Sequence, residues 1–346
     1  MTDADPVQNT ADPFSRRRRW VASILALLLV AGAWAELSLG AVAVPVGEVL
    51  GVLARRLGLD LFVEPTARAD AVVWGIRMPR LLLAMTVGAS LAMTGGVLQG
   101  MLRNKLADPH LLGIGPGAAV GAAIGSSAGG VQGAIAGGVA AGVITAFAIR
   151  RLASRASLDP TRIILSGVAL GAALSAWVGF VVFASDRATV PPVEFWLLGS
   201  LAGSTWRSFA TVLVFATLAV IVLVASARTL DVLSLGETDA RSLGVDVDLV
   251  RTILLIAVGA GVGATVGAAG VIAFVGLLVP FAVAPFTGPL HRHLLAVAMV
   301  GGALFVVGSD LVARLAIEPI EIPVGLVTSA VGGPVFLWLL TRGRGD

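Results

Sequence analysis

Long uncharged runs alternate with short polar segments along this chain. Six runs have the length of one membrane span: 21–39 (interrupted only by Glu36), 81–102, 163–185, 208–227, 294–309 and 322–340. A helix that crosses roughly 30 Å of hydrocarbon needs about 20 apolar residues. Two further runs, 111–149 and 252–290, hold 39 uncharged residues each. That suits two short spans apiece, with turns near 126–132 and 267–270; a re-entrant segment in either run is the alternative. The pattern predicts an all-α polytopic membrane protein with about ten transmembrane helices, each satisfying its own backbone hydrogen bonds in lipid.

Composition agrees. Hydrophobic residues make up 57% and charged residues 13%, where a soluble domain carries about 25% charge. The expected organisation is a basic tail over 1–19, one transmembrane unit over 20–342 and a short tail over 343–346. The start, with its Arg16–Arg19 cluster, resembles a secretion signal. No small-x-small cleavage site precedes the next polar loop, so the first span is read as uncleaved. The cluster is read as a topology signal that touches anionic lipid, and no nucleic-acid role is expected. The absence of cysteine excludes a disulfide framework and a thiolate metal site.

Basic residues orient the spans. With the N-terminus inside, cytoplasmic segments carry 16 of the 24 Lys and Arg residues and outer segments carry eight. Both termini are therefore expected in the cytoplasm. So is a polar block at 228–251, in which eight of 24 residues are charged. Inside it, LSLGETDARSLGV (233–245) places Gly236 and Gly244 where short helices would end. Leu235 and Leu243 are apolar anchors there, with Glu237, Asp239 and Arg241 as a polar rim. The block reads as a docking surface.

The chemistry that is missing narrows the function. Lys105 is the one lysine and sits in no phosphate-binding loop. His110, His291 and His293 lack metal-ligand spacing, and His291–His293 reads as a solvated cytoplasmic turn. No nucleophile, base and acid cluster suggests an enzyme. Ion-coupled carriers place carboxylates or histidines at membrane depth. Only Glu36 falls within an uncharged run here, and it reads as a snorkelling interfacial residue. Energy for uphill transport is expected from a partner. A carrier or channel acting without an ATPase is the alternative. On the outer side, RMPR sets Arg77 and Arg80 three apart, on one helical face, where an acidic partner would find them.

The motifs carry a resemblance. GGVLQGMLRNKLADPHLLG (95–113), FWLLGSLAGSTW (195–206), LSLGETDARSLGV, GVIAFVGLLVP (270–280), SDLVAR (309–314) and EIPVGLVTSAVGGPVFLWLL (321–340) occur in one order. Together they resemble the FecCD-type permeases of ABC importers for iron-siderophores, haem and cobalamin, over roughly residues 36–342. Gly88, Leu91, Gly95, Gln99, Asn104, Leu106, Ala107, Asp108, Pro109 and Gly113 match that family's pattern. Lys105, Phe281 and Ala284 depart from its usual Pro, His and Arg.

The resemblance implies the cobalamin-importer-like (type II) permease fold in a bacterial plasma membrane. It implies a second permease subunit, as homodimer or heterodimer, and two cytoplasmic ATPases that hold ATP and Mg. This chain would bind no cofactor itself. It also implies a soluble substrate-binding protein, docked through Arg77, Arg80 and Arg314. ATPase coupling falls to Leu235, Gly236, Glu237, Ala240, Arg241, Leu243 and Gly244. A cytoplasmic gate falls to Ser157, Pro160 and Thr161. Asn104, Asp108, Pro109 and Gly113 would be a structural motif, and the cargo an iron chelate (a ferric siderophore) or the related haem or cobalamin.

Overall fold

Helix covers most of each uncharged run, as a backbone in lipid must satisfy its hydrogen bonds internally. The computed structural model describes residues 14–40, 42–59, 64–155, 160–185, 190–317 and 320–342. α1 (Ser15–Ser38) leads into an outer segment with α2 (Val46–Arg56) and α3 (Ala67–Asp70). A π-helical stretch, Ala71–Arg77, runs straight into α4 (Met78–Met101). Then come α5 (Ile114–Arg155), α6 (Pro160–Ala184), α7 (Val193–Leu198) and α8 (Trp206–Ala225). The polar block holds α9 (Ala227–Leu235) and α10 (Glu237–Ser242), and α11 (Val247–Ala269), α12 (Val275–Thr287), α13 (His291–Leu315) and α14 (Val324–Arg342) complete the chain. No strand occurs among the described residues.

Both 39-residue runs divide at glycine. In α5 the helical path breaks at Gly129 (φ −149°, ψ 21°) and Gly130 (φ 56°, ψ −140°). α11 ends at Gly270 (φ 67°), and α12 starts after Phe274 (φ 68°). Among the described residues seven helices are long and apolar enough to cross a membrane. Counting the two limbs of α5 separately, with the shorter helices Val275–Thr287 and Val324–Trp338, gives ten apolar segments among the described residues.

α4 is the axis of the bundle. In its most apolar stretch 78% of residues are buried, against 11% in α1. Buried residues such as Leu83, Leu91, Met93 and Leu98 surround it on all sides, as befits a core helix. Where α4 crosses α13, a Cβ on Gly88 would lie 2.1 Å from the Gly302 carbonyl oxygen. Where α4 crosses α12, one on Gly95 would lie 1.9 Å from the Gly276 carbonyl oxygen. Lipid supplies no hydrophobic drive between helices, so close backbone contact supplies the cohesion. Gly88→Val should therefore force α4 from α13 and cost more than the roughly 1–3 kcal/mol of ordinary overpacking, seen as a lower unfolding temperature of detergent-purified protein.

Candidate functional sites at the two membrane faces

Arginines at the outer end, as the charge distribution orients the chain, face inward. Arg80 is 5% exposed. Its Nε and Nη2 donate to both carboxylate oxygens of Asp310 at 2.8 and 2.9 Å. Its Nη1 reaches both oxygens of Glu321 at 3.1 and 2.9 Å. Arg77, also buried, donates to the carbonyls of Leu37 (2.7 Å) and Val42 (2.5 Å). Arg314 pairs with the Glu36 carboxylate and donates to the Leu39 carbonyl at 2.7 Å. Gly40, at φ +135°, passes between the guanidinium groups of Arg77 and Arg314.

These contacts correct the expectation for Glu36 and show where the three arginines expected to dock a partner point. Arg77, Arg80 and Arg314 form an internal clamp joining α1, the π-helical stretch, α4, α13 and the approach to α14. They are not an open basic surface, because the desolvated guanidinium groups must find their acceptors inside the chain. Glu36 does not snorkel: it is 1% exposed and ion-paired. Asp310, beyond the end of an uncharged run in the sequence, lies inside α13 and is equally buried. Each carboxylate is held by an arginine.

The connection from α4 to α5 is built from side-chain turns. Asn104 Oδ1 accepts from the Leu106 amide at 2.8 Å. Asp108 Oδ1 accepts from the amides of His110 (2.8 Å) and Leu111 (3.2 Å). Pro109 is buried with Asp108, and Gly113 (φ +81°) passes close against Gly167 and Gly171 of α6. Asn104, Asp108, Pro109 and Gly113 thus sit together as one turn structure. Burial holds the His110 imidazole below its ordinary pKa. Lys105 is exposed, and Phe281 and Ala284 are half-buried in α12.

The block 228–251, expected from the charge distribution to face the cytoplasm, forms a helical corner. Gly236 (φ 130°) ends α9 and turns the chain directly into α10. Gly244 (φ 84°) closes α10: its amide bonds the Arg241 carbonyl and that of Val245 bonds the Ala240 carbonyl, both at 3.0 Å. That pair of bonds is the Schellman arrangement. Ala240 is fully buried, which seats α10 on the bundle. Leu235 and Leu243 are 61% and 65% exposed. Glu237 pairs with Arg251, and Arg241 with Asp248 at 3.0 Å, bracing α10 to α11.

His291 is not the solvated residue that the sequence suggests. It is 8% exposed. Its backbone N–H donates to Asp231 Oδ1 of α9 at 2.7 Å, and its ring Nδ1 lies 2.7 Å from the same oxygen. A Cβ on Gly100 would stand 2.3 Å from its Nε2, so the ring covers the end of α4. His293 Nδ1 lies 2.7 Å from Arg18 Nη1 of α1. Spacing alone did not expose these partners; the one sequence signal was a carboxylate, Asp231, at the entrance to a charged block.

Of the gate residues, Ser157 lies outside the described residues. Pro160 is the first residue of α6, a position that proline suits, and Thr161 follows it. Among the described residues no group of three or more His, Cys, Asp or Glu side chains stands ready for a metal ion.

A glycine-packed helical bundle with a braced, solvent-exposed corner at one face defines a multi-pass membrane protein of the transport-permease class. The chain belongs to the FecCD transport family, which matches residues 26–342. It is 41% identical over 276 residues to the cobalamin import system permease protein BtuC of Halobacterium salinarum, covering 79% of this chain and 74% of that one. It is 36% identical over 335 residues to the vitamin B12 import system permease protein BtuC of Klebsiella pneumoniae, covering 95% and 96%. A solved structure described as a metal-chelate type ABC transporter, in an inward-facing conformation, superposes with a TM-score of 0.79 at 30% identity, covering 94% and 99% of the two chains. The fold is that of an ABC importer permease.

The clamp generates a stability prediction. Arg80→Ala strands Asp310 as a buried, unpaired charge, a change that costs about 3–5 kcal/mol. The expected result is a fall in unfolding temperature and in folded yield, measured by fluorescence-detected size exclusion on heating. Arg77→Glu with Arg80→Glu should do the same before any docking is tested.

Proposed function

We propose that this chain is the membrane-spanning subunit of an ATP-driven importer in a bacterial plasma membrane. It pairs with a second permease subunit and with two cytoplasmic ABC ATPases, which hold ATP and Mg. The observation that carries the reading is the α9–α10 corner: two exposed leucines on a rigid, glycine-turned element, in a chain with no phosphate-binding loop of its own. Leu235 and Leu243 anchor a groove on the ATPase, and Glu237 and Arg241 form the rim. Closure of the ATPases then biases the spans between two arrangements, with the turn at Ser157, Pro160 and Thr161 as the inner gate.

A soluble binding protein delivers the cargo to the outer face. Arg77, Arg80 and Arg314 shape that face from beneath and do not reach the partner. The cargo is a bulky metal chelate. Cobalamin is the leading member, because the relatives described above are named for its import; ferric siderophore and haem are the competing cargoes. Proteoliposomes holding the permease and its ATPase should take up cobalamin in an ATP-dependent way when the binding protein is supplied. Uptake of a ferric siderophore or haem in its place would reassign the cargo. Uptake without any ATPase would overturn the importer reading.

Two substitutions test the corner. Proline at 236 cannot adopt φ 130°, and arginine at 240 has no space in a fully buried site. Gly236→Pro and Ala240→Arg should each lower ATP-dependent uptake by about tenfold or more, or release the ATPase on co-purification. Full uptake with normal co-purification in both would remove the corner from the mechanism.

A further inference from the structure

We propose that Asp231 and His291 form a strut that carries motion of the ATPase-facing corner into the α4–α13 pair. The inference rests on the importer function proposed above and adds the load path. Asp231 Oδ1 takes both the first backbone N–H of α13 and the His291 ring nitrogen, each at 2.7 Å. A carboxylate at a helix start is favoured by the helix dipole as well as by the hydrogen bond. The same ring rests on Gly100 at the end of α4. One side-chain pair therefore joins α9, α13 and α4.

Beyond that joint the structure is stiff. α4 and α13 touch backbone to backbone at Gly88 and Gly302, leaving no side chain between them to give way. Their outer ends are locked by Arg80 and Asp310. Arg80 also holds Glu321, three residues before α14. Displacement of α9 thus has a continuous route to the approach of α14 on the opposite face. The second set of braces, Glu237–Arg251 and Arg241–Asp248, runs to α11 through half-exposed side chains. Solvent-exposed ion pairs contribute little, whereas the Asp231–His291 contact is largely enclosed, with side chains 23% and 10% exposed. Both side chains are enclosed where Leu235 and Leu243 are exposed.

The test uses the complete permease–ATPase complex in proteoliposomes and reads uptake per ATP hydrolysed. Asp231→Ala, His291→Ala and the double variant should each lower that ratio by about tenfold, with the ATPase still bound. The double variant should be no worse than Asp231→Ala, which already removes both hydrogen bonds, whereas His291→Ala removes the ring one alone. Gly100→Ala, which pushes the ring away from the α4 side without touching Asp231, should uncouple in the same way. His291→Gln keeps a donor within reach and should retain most of the coupling. A normal ratio in Asp231→Ala would overturn the strut. So would a parallel fall of uptake and hydrolysis, or a His291→Gln variant as defective as His291→Ala. If the unmutated complex shows no ATP-dependent uptake, the importer reading fails first and the strut with it.

Discussion

The backbone contact between Gly88 of α4 and Gly302 of α13 sets the geometry on which the other elements depend. Apolar side chains gain little from one another inside a bilayer, since lipid is as apolar as they are. Cohesion must come from close packing and from polar groups that find partners. A Cβ at Gly88 would stand 2.1 Å from the facing carbonyl, so the two backbones meet there with nothing interposed. α12 comes equally close at Gly95, and α11 meets the second limb of α5 through Gly259 and Gly263 against Gly142 and Gly138. The less buried helices, such as α1 and α6, pack around this frame.

The two faces handle charge in opposite ways, for one physical reason. At the outer end the chain desolvates Arg77, Arg80, Glu36 and Asp310, and each must then be matched within the protein. The result is a clamp whose value lies in fixing which helix ends meet. At the end that carries α9 and α10 most charges stay half-exposed, and what projects is apolar: Leu235 and Leu243. A surface with exposed leucines and a charged rim suits a protein partner. A sealed network of ion pairs suits a fixed joint. The exception at that end is Asp231 with His291, which is enclosed like the arginine clamp and joins elements that are distant in sequence.

Much of the fold is legible in one dimension because the bilayer imposes a one-dimensional rule. Uncharged length predicts spans, and glycine within a double-length run predicts where it folds back; Gly129, Gly130 and Gly270 lie inside the expected turns. Gly236 and Gly244 end the two helices of the polar block, since the backbone there takes positive φ. The direction of Arg77 and Arg80 is not legible in this way. Spacing puts them on one face but does not say whether that face meets solvent or Asp310, 230 positions along the chain. His291 eluded the pattern likewise, because its partner Asp231 is 60 positions away and its burial depends on a glycine in a third helix.

The sequence by itself determined the class, the family and the position of the polar corner along the chain. Each follows from local composition or from motifs in fixed order. Only the tertiary structure decided what the charged side chains do. A charge at a helix end is equally compatible with solvent, lipid headgroups or an internal partner, and the choice depends on which other helix end arrives beside it. That is why three arginines expected to face a partner are closed into a clamp, and why a histidine expected in solvent joins three helices.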